Sequence, residues 1–369
     1  MKRHVERLKD RAKEAHYTLE VHVDSVWDYQ TPHKDEPEDN LHTPKHRYLA
    51  HFDKYHTQLD NFANHSDNAR LEQVEKFNRY SKPPRSLKEA DPRIKVAIID
   101  NGADINRSNL RKRIHAGVSY VSADKDQPQQ PLPWWMVSDP HGTQMASLVE
   151  KVNPHCRLYI ARVGKGRNDI KGYHAAKAIA WALEQNVDVI SMSWTTTKEH
   201  EGLKNAVRQA AYSGNRRATL MFCSTADEGA FSGTIYPVHY KDHVIRVSAT
   251  DDWGFQTSQS KGDSPADVLV PGEKAQAGGP GYIGNTQDTV SGSSVATALA
   301  AGLASLALLL LRTRNGEDKR MREFYTKLGM MKVFNKMRAE ENGVLKLSTL
   351  FPIAENPDMA LWDIENFLD

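Results

Sequence analysis

Cysteine is the scarcest signal in this chain of 369 residues, which holds two. Two thiols cannot staple a disulfide-dense secreted scaffold or close an all-cysteine zinc site, and they fit a reducing compartment. Cys156 stands just before Leu158-Tyr159-Ile160 and Cys223 follows Leu220-Met221-Phe222, so both read as core thiols beside strands, and no spacing pattern pairs them. An excess of one charge is also lacking. The 49 Lys and Arg face 47 Asp and Glu, a net charge of +2, and the two signs are interleaved. This excludes a partner captured by charge alone and removes the case for nucleic acid. Long apolar runs are missing too. Met1 to Asp10 contains no apolar core of the kind a secretory leader needs, so an intracellular protein is expected. The stretch Val295 to Leu311 has no charge over 17 residues, but it is short for a membrane span and rich in Ala, Gly, Ser and Thr. It reads as a buried core helix, and no membrane association is expected. Internal repeats and low-complexity tracts are absent as well.

What is present is ordinary in bulk and specific in pattern. Hydrophobic residues at 39% and charged residues at 26% suit a soluble globular chain of one large domain with appendages. Residues 1–90 read as a mainly helical, regulatory N-terminal segment. Leu49, Phe52, Tyr55, Leu59 and Phe62 recur at helical spacing, Asn64 to Asn68 interrupts, and Leu71, Val74 and Phe77 resume. Lys82-Pro83-Pro84-Arg85-Ser86 then marks a linker. Nine of the 16 histidines lie in residues 1–65, but only His42 and His46 have helical ligand spacing, Pro44 stands between them, and no metal set is completed. From 91 to 315 strands and helices alternate. The strands are expected at 94–99, 158–163, 187–193, 218–223 and 244–249, and the helices at 142–152, 171–185, 201–213 and 295–311. That alternation predicts an α/β fold, a three-layer α/β/α arrangement around a mainly parallel sheet. Residues 316–369 read as a charged C-terminal helical extension.

Three segments in that middle region carry chemistry. Val290-Ser291-Gly292-Ser293-Ser294 leads directly into the apolar helix, so Ser294 lies on a glycine-bearing turn at a helix N-terminus, where N–H groups and the helix dipole favour a forming oxyanion. Ile94 to Asp100 is a β-branched run ending in an acid and a glycine turn, a buried strand that delivers a carboxylate at its C-terminal end. Asp139-Pro140-His141-Gly142-Thr143 opens a helix with an imidazole. Singly, Ser294 would be a capping serine, His141 a surface or capping residue and Asp100 a turn former. Together they occur in the order Asp, His, Ser, with intervals of 41 and 153 residues, and they suit a nucleophile, its base and the base's orienter.

The chain resembles the subtilisin-type (subtilase) serine peptidases over residues 94 to 311. Besides the three segments above, Asp188 to Trp194, Tyr236-Pro237, Val244 to Thr250 and Val270-Pro271-Gly272-Glu273 are similar to family segments in the same order. The resemblance implies a serine endopeptidase acting on protein or peptide substrates through Asp100, His141 and Ser294. It also implies that Ser193, Trp194 and Thr195 line the pocket for the residue before the scissile bond. At the oxyanion position, where family members usually have Asn, this chain has Asp227. An ionised carboxylate accepts only, so it would repel the oxyanion unless protonated. That departure keeps open a second reading, the same fold used as a pseudoprotease for binding or signalling. Members often bind structural calcium, which the resemblance leaves open here without a carboxylate loop to assign to it, and no other cofactor or metal is expected. Further domains of a longer protein are partners the resemblance allows. Pro133-Trp134-Trp135, in the loop before His141, either grips substrate or packs on the fold.

Overall fold

The computed structural model of the protein describes residues 93–123, 130–212, 217–225, 227, 233–251, 254–257, 265–283, 289–315, 319–338 and 343–345. The chain divides into two units, Met1–Leu41 and His42–Asp369, and every described residue belongs to the second. The expected N-terminal helices and the end of the C-terminal extension lie outside the described residues.

Seven strands form one sheet in the order β2-β3-β1-β4-β5-β6-β7, and every pairing is parallel. They are β1 (Lys95–Asp100), β2 (Ile114–Ser119), β3 (Arg157–Arg162), β4 (Val189–Met192), β5 (Leu220–Ser224), β6 (Ile245–Thr250) and β7 (Val268–Pro271). The central strands are buried on both faces, which is why their sequences are continuous apolar runs rather than alternations. Two short antiparallel strands, β8 (Ala275–Gln276) and β9 (Thr289–Val290), stand apart.

Helices cover both faces. After the single turn α1 (Ser108–Arg111) come α2 (His141–Val152), α3 (Gly172–Glu184), α4 (Glu201–Ala211), α5 (Ser293–Asn315), α6 (Lys319–Phe324) and α7 (Lys327–Lys336). Helix α3 buries Ala175, Ala178, Ile179 and Ala182, and α4 buries Leu203, Ala206, Val207 and Ala210, each a stripe one helical face wide. With Ile99, Met192 and Cys223 they form the core on one side of the sheet. The other core is larger. There α2 and α5 pack on Ile98, Phe222 and Val247, together with Met321, Tyr325, Val333 and Phe334 of the C-terminal segment. The small residues of α5 let it cross the sheet closely, and Val295 to Ala301 are buried throughout. The uncharged stretch is therefore interior to the domain; among the described residues no helix is long and apolar enough to cross a membrane. Cys156 and Cys223 are free and buried in opposite cores.

The strand order places the functional rim. The chain leaves β1 toward β3 and β2, whereas from β4 it proceeds the other way through β5, β6 and β7. The direction reverses between β1 and β4, so a crevice opens beyond their C-terminal ends, the usual ligand position in open α/β sheets.

Candidate active site

Asp100 is the last residue of β1, at that crevice, and is 1% exposed. His141 is the first residue of α2 and is 5% exposed. Their side chains meet, with 2.9 Å between His141 Nδ1 and Asp100 Oδ1. The same Asp100 oxygen accepts the Asn101 N–H at 2.8 Å. Asn101 then ties strand to helix: its Oδ1 accepts the Gly142 N–H at 2.8 Å and its Nδ2 donates to the Asp139 carbonyl at 3.1 Å. Gly142 is required by this contact, since a Cβ there would lie 2.1 Å from the Gly102 carbonyl oxygen and 2.6 Å from Asn101 Oδ1. Burial of the imidazole disfavours its charged form, but the Asp100 charge and hydrogen bond, joined by Asp139, outweigh it, and His141 titrates above its ordinary 6.5.

Ser294 lies in the first turn of α5. Its Oγ donates to the Ser193 carbonyl at 2.9 Å, and Ser193 Oγ donates back to the Ser294 carbonyl at 3.1 Å. Ser193 directly follows β4, and Trp194 Nε1 donates to the Ile99 carbonyl of β1 at 2.7 Å. One short path thus runs from Ser294 through Ser193 and Trp194 to the strand that carries Asp100. Among the described residues no hydrogen bond joins Ser294 to His141. The structure pairs acid with imidazole and fastens the hydroxyl to the neighbouring strand end.

The turn before Ser294 is tightly built. Gly292 has φ +126°, a region L side chains rarely adopt, and a Cβ there would lie 2.5 Å from Asp227 Oδ2. Gly292 N–H donates to the Gly272 carbonyl at 2.8 Å, and the Gly292 carbonyl accepts from Val295 and Ala296 at 3.1 and 3.2 Å. Asp227 is exposed, and both its oxygens accept the Ser293 N–H, at 2.9 and 3.1 Å. Ser293 Oγ donates to the Thr225 carbonyl. A carboxylate on an N–H at a helix start is electrostatically favourable, and here it fixes Asp227 to the turn before Ser294.

Of the pocket residues expected from sequence, Ser193 and Trp194 are buried at 2% and 3%, whereas Thr195 is partly exposed. The Trp194 ring belongs to the core on the α3 and α4 side, so it supports β1 and offers no side-chain surface to a ligand. In the loop before His141 the two tryptophans separate: Trp134 is buried, and Trp135 is 43% exposed. Arg162 Nη1 holds that loop through the carbonyls of Pro133 and Met136, both at 2.8 Å. Among the described residues no group of three or more His, Cys, Asp or Glu could hold a metal. Sequence reasoning missed Asn101 and Asp139 as site residues; their adjacency to Asp100 and His141 was the signal.

The Subtilase family model matches residues 91–327. Subtilisin E of Bacillus subtilis (strain 168) is 29% identical over 227 residues, 58% of this chain and 55% of that protein, so the chain spans about half the length of that relative. The intracellular serine protease of Paenibacillus polymyxa is 28% identical over 276 residues, 70% of this chain and 80% of that protein. Among solved structures, a cold adapted subtilisin-like serine proteinase superposes with a TM-score of 0.53 at 21% identity, covering 70% of this chain and 89% of its own. The prenylagaramide maturation protease PagA does so with a TM-score of 0.54 at 20% identity, covering 77% and 97%. With its match across the whole seven-stranded sheet, this chain belongs to the subtilase family.

Proposed function

We propose that this protein is a serine endopeptidase that cleaves peptide bonds through an acyl-enzyme. The observation that carries the reading is the buried 2.9 Å contact between His141 Nδ1 and Asp100 Oδ1 at the sheet crevice, with Ser294 at the start of a helix whose segment is tied to the same rim. Rotation about the Ser294 Cα–Cβ bond releases Oγ from the Ser193 carbonyl. The hydroxyl attacks the scissile carbonyl, His141 Nε2 takes its proton, and Asp100 fixes the tautomer and stabilises the imidazolium. His141 then returns the proton to the leaving amine. Water, activated by the same imidazole, resolves the ester.

Asp227 acts differently from the usual asparagine. Both its oxygens are occupied as acceptors for the Ser293 N–H, so in this arrangement it anchors the turn and the oxyanion rests on backbone N–H groups at the α5 start. A missing side-chain donor costs about 2.7–4 kcal/mol of barrier, a magnitude that comes from subtilisin, a relative of this chain. A slow peptidase follows. An intracellular setting belongs to the same proposal, supported by two free, buried thiols and by likeness to a relative named as intracellular.

A fluorophosphonate probe tests the reading. Labelling of the full chain that disappears in Ser294→Ala, together with peptide cleavage lost in the same variant, is expected. Folded protein that takes no label between about pH 6 and 9 overturns it.

A further inference from the structure

The loop that delivers His141 contains a carboxylate to which no role has been given. Asp139 Oδ1 accepts the backbone N–H of His141 at 3.0 Å, and Oδ2 accepts the backbone N–H of Arg167 at 2.9 Å. The Asp139 carbonyl accepts from Asn101 Nδ2. The site makes room for this acid: a Cβ on Gly166 would lie 2.9 Å from Asp139 Oδ2. The contacts close a circuit. Asp100 holds the His141 ring, Asn101 binds the Asp100 carboxylate through its own N–H, the Asn101 amide holds Gly142 and the Asp139 carbonyl, and the Asp139 side chain holds the His141 backbone. The imidazole is thus fixed from both ends, ring and main chain, by two different acids.

We propose that Asp139 is a second carboxylate of the acid–base machinery, a positioning residue that sets the His141 main chain while its charge stabilises the imidazolium formed when Ser294 gives up its proton. The inference rests on the peptidase reading for its kinetic consequence, though not for its electrostatic one. The charged groups acting on His141 are Asp100 and Asp139, which favour the cation, and Arg167, which opposes it. Asp139 and Arg167 therefore pull in opposite directions on one proton, and the Asp139 side chain is bonded to the Arg167 main chain.

The test uses the full chain and two variants. Asp139→Asn keeps a side-chain oxygen for the His141 N–H and removes the charge. Arg167→Gln alters an exposed side chain and leaves the Arg167 N–H in place. The acidic limb of kcat/KM against pH on a peptide substrate is expected to move down by at least about half a pH unit in Asp139→Asn and upward in Arg167→Gln. The plateau in Asp139→Asn should stay within about tenfold of the parent. Site-resolved exchange of the His141 imidazole C2–H, followed by mass spectrometry on the Ser294→Ala protein, reads the same shifts without turnover. Movement of both midpoints in opposite directions supports the proposal. Unchanged midpoints overturn it, including the case in which only the plateau falls. Exchange shifts without peptide cleavage in the parent would keep Asp139's charge role and sink the peptidase reading instead. If Asp139→Asn does not fold, the Arg167→Gln midpoint decides alone.

Discussion

Two buried carboxylates stand at opposite ends of the same sheet, and they are satisfied in different ways. Asp188 precedes β4 at its N-terminal end and is 0% exposed. Its Oδ1 takes an ion pair from Arg312 at 2.7 Å and another from Arg217, and its Oδ2 accepts the Lys95 N–H at 2.7 Å. The Tyr325 hydroxyl joins Arg312 at 3.1 Å, and burial, with the Asp188 charge, pushes that phenol up to about 12. Asp100 ends β1 on the other side of the sheet. Its Oδ1 meets one titratable imidazole and the Asn101 N–H, and its Oδ2 is buried without a hydrogen bond among the described residues. Asp188 is saturated by permanent cations; Asp100 is not, so that a positive charge arriving on His141 gains more than it would beside a neutralised group.

Substitutions should separate the two acids. The largest effect is expected from Asp100→Asn: a fall in kcat of about 10⁴, the scale known for triad acids in serine peptidases. Thermal unfolding should change little. A comparable fall in Tm would contradict the division of labour. Asp188→Asn is the mirror image. Leaving Arg312 buried without its partner should cost about 3–5 kcal/mol of stability, read by urea denaturation, with kcat per folded molecule unaltered. Asp227→Asn comes next. It retains an acceptor for the Ser293 N–H and adds an amide donor, so kcat should rise by about 10- to 100-fold, part of the 10²–10³ such a donor supplies in subtilisin. A decrease would mean that the second carboxylate oxygen, not the missing donor, governs the turn. The smallest effect is a matter of position on the pH axis. Because the His141 value is raised and the base must be neutral, kcat/KM should climb with a midpoint above 6.5. A midpoint below that value would show that desolvation, not the Asp100 charge, dominates.

How much of this was legible in the sequence follows from burial. Strands β1, β3, β4, β5 and β6 are flanked on both sides and announce themselves as apolar runs, and the stripes of α3 and α4 have helical period. The edge strands β2 and β7 do not. β2 contains His115 and Gly117 and is half-buried along most of its length, and β7 is paired with one strand of the sheet only, β6. At the site, Asp100 and His141 were readable because strand end and helix start fix where a side chain points. The handedness of Trp194 was not, since its turn toward the core depends on a hydrogen bond to another strand's carbonyl. Asn101 acts through contacts across 41 and 38 residues, which no local pattern encodes, whereas Asp139 holds an N–H only two residues away and its position beside His141 was readable.

The stretch after α5 has a practical consequence for anyone moving this domain into another protein. The family model's match ends at residue 327, yet beyond it Phe334 sits 6.0 Å from Phe222 of the central sheet, Arg338 Nη2 donates to the Asp267 carbonyl and Leu345 N–H donates to the Leu269 carbonyl at 3.1 Å. A graft trimmed at that residue would leave Phe222 without its Phe334 neighbour and the Leu269 carbonyl without the Leu345 N–H. The transplantable cassette runs on through Leu345.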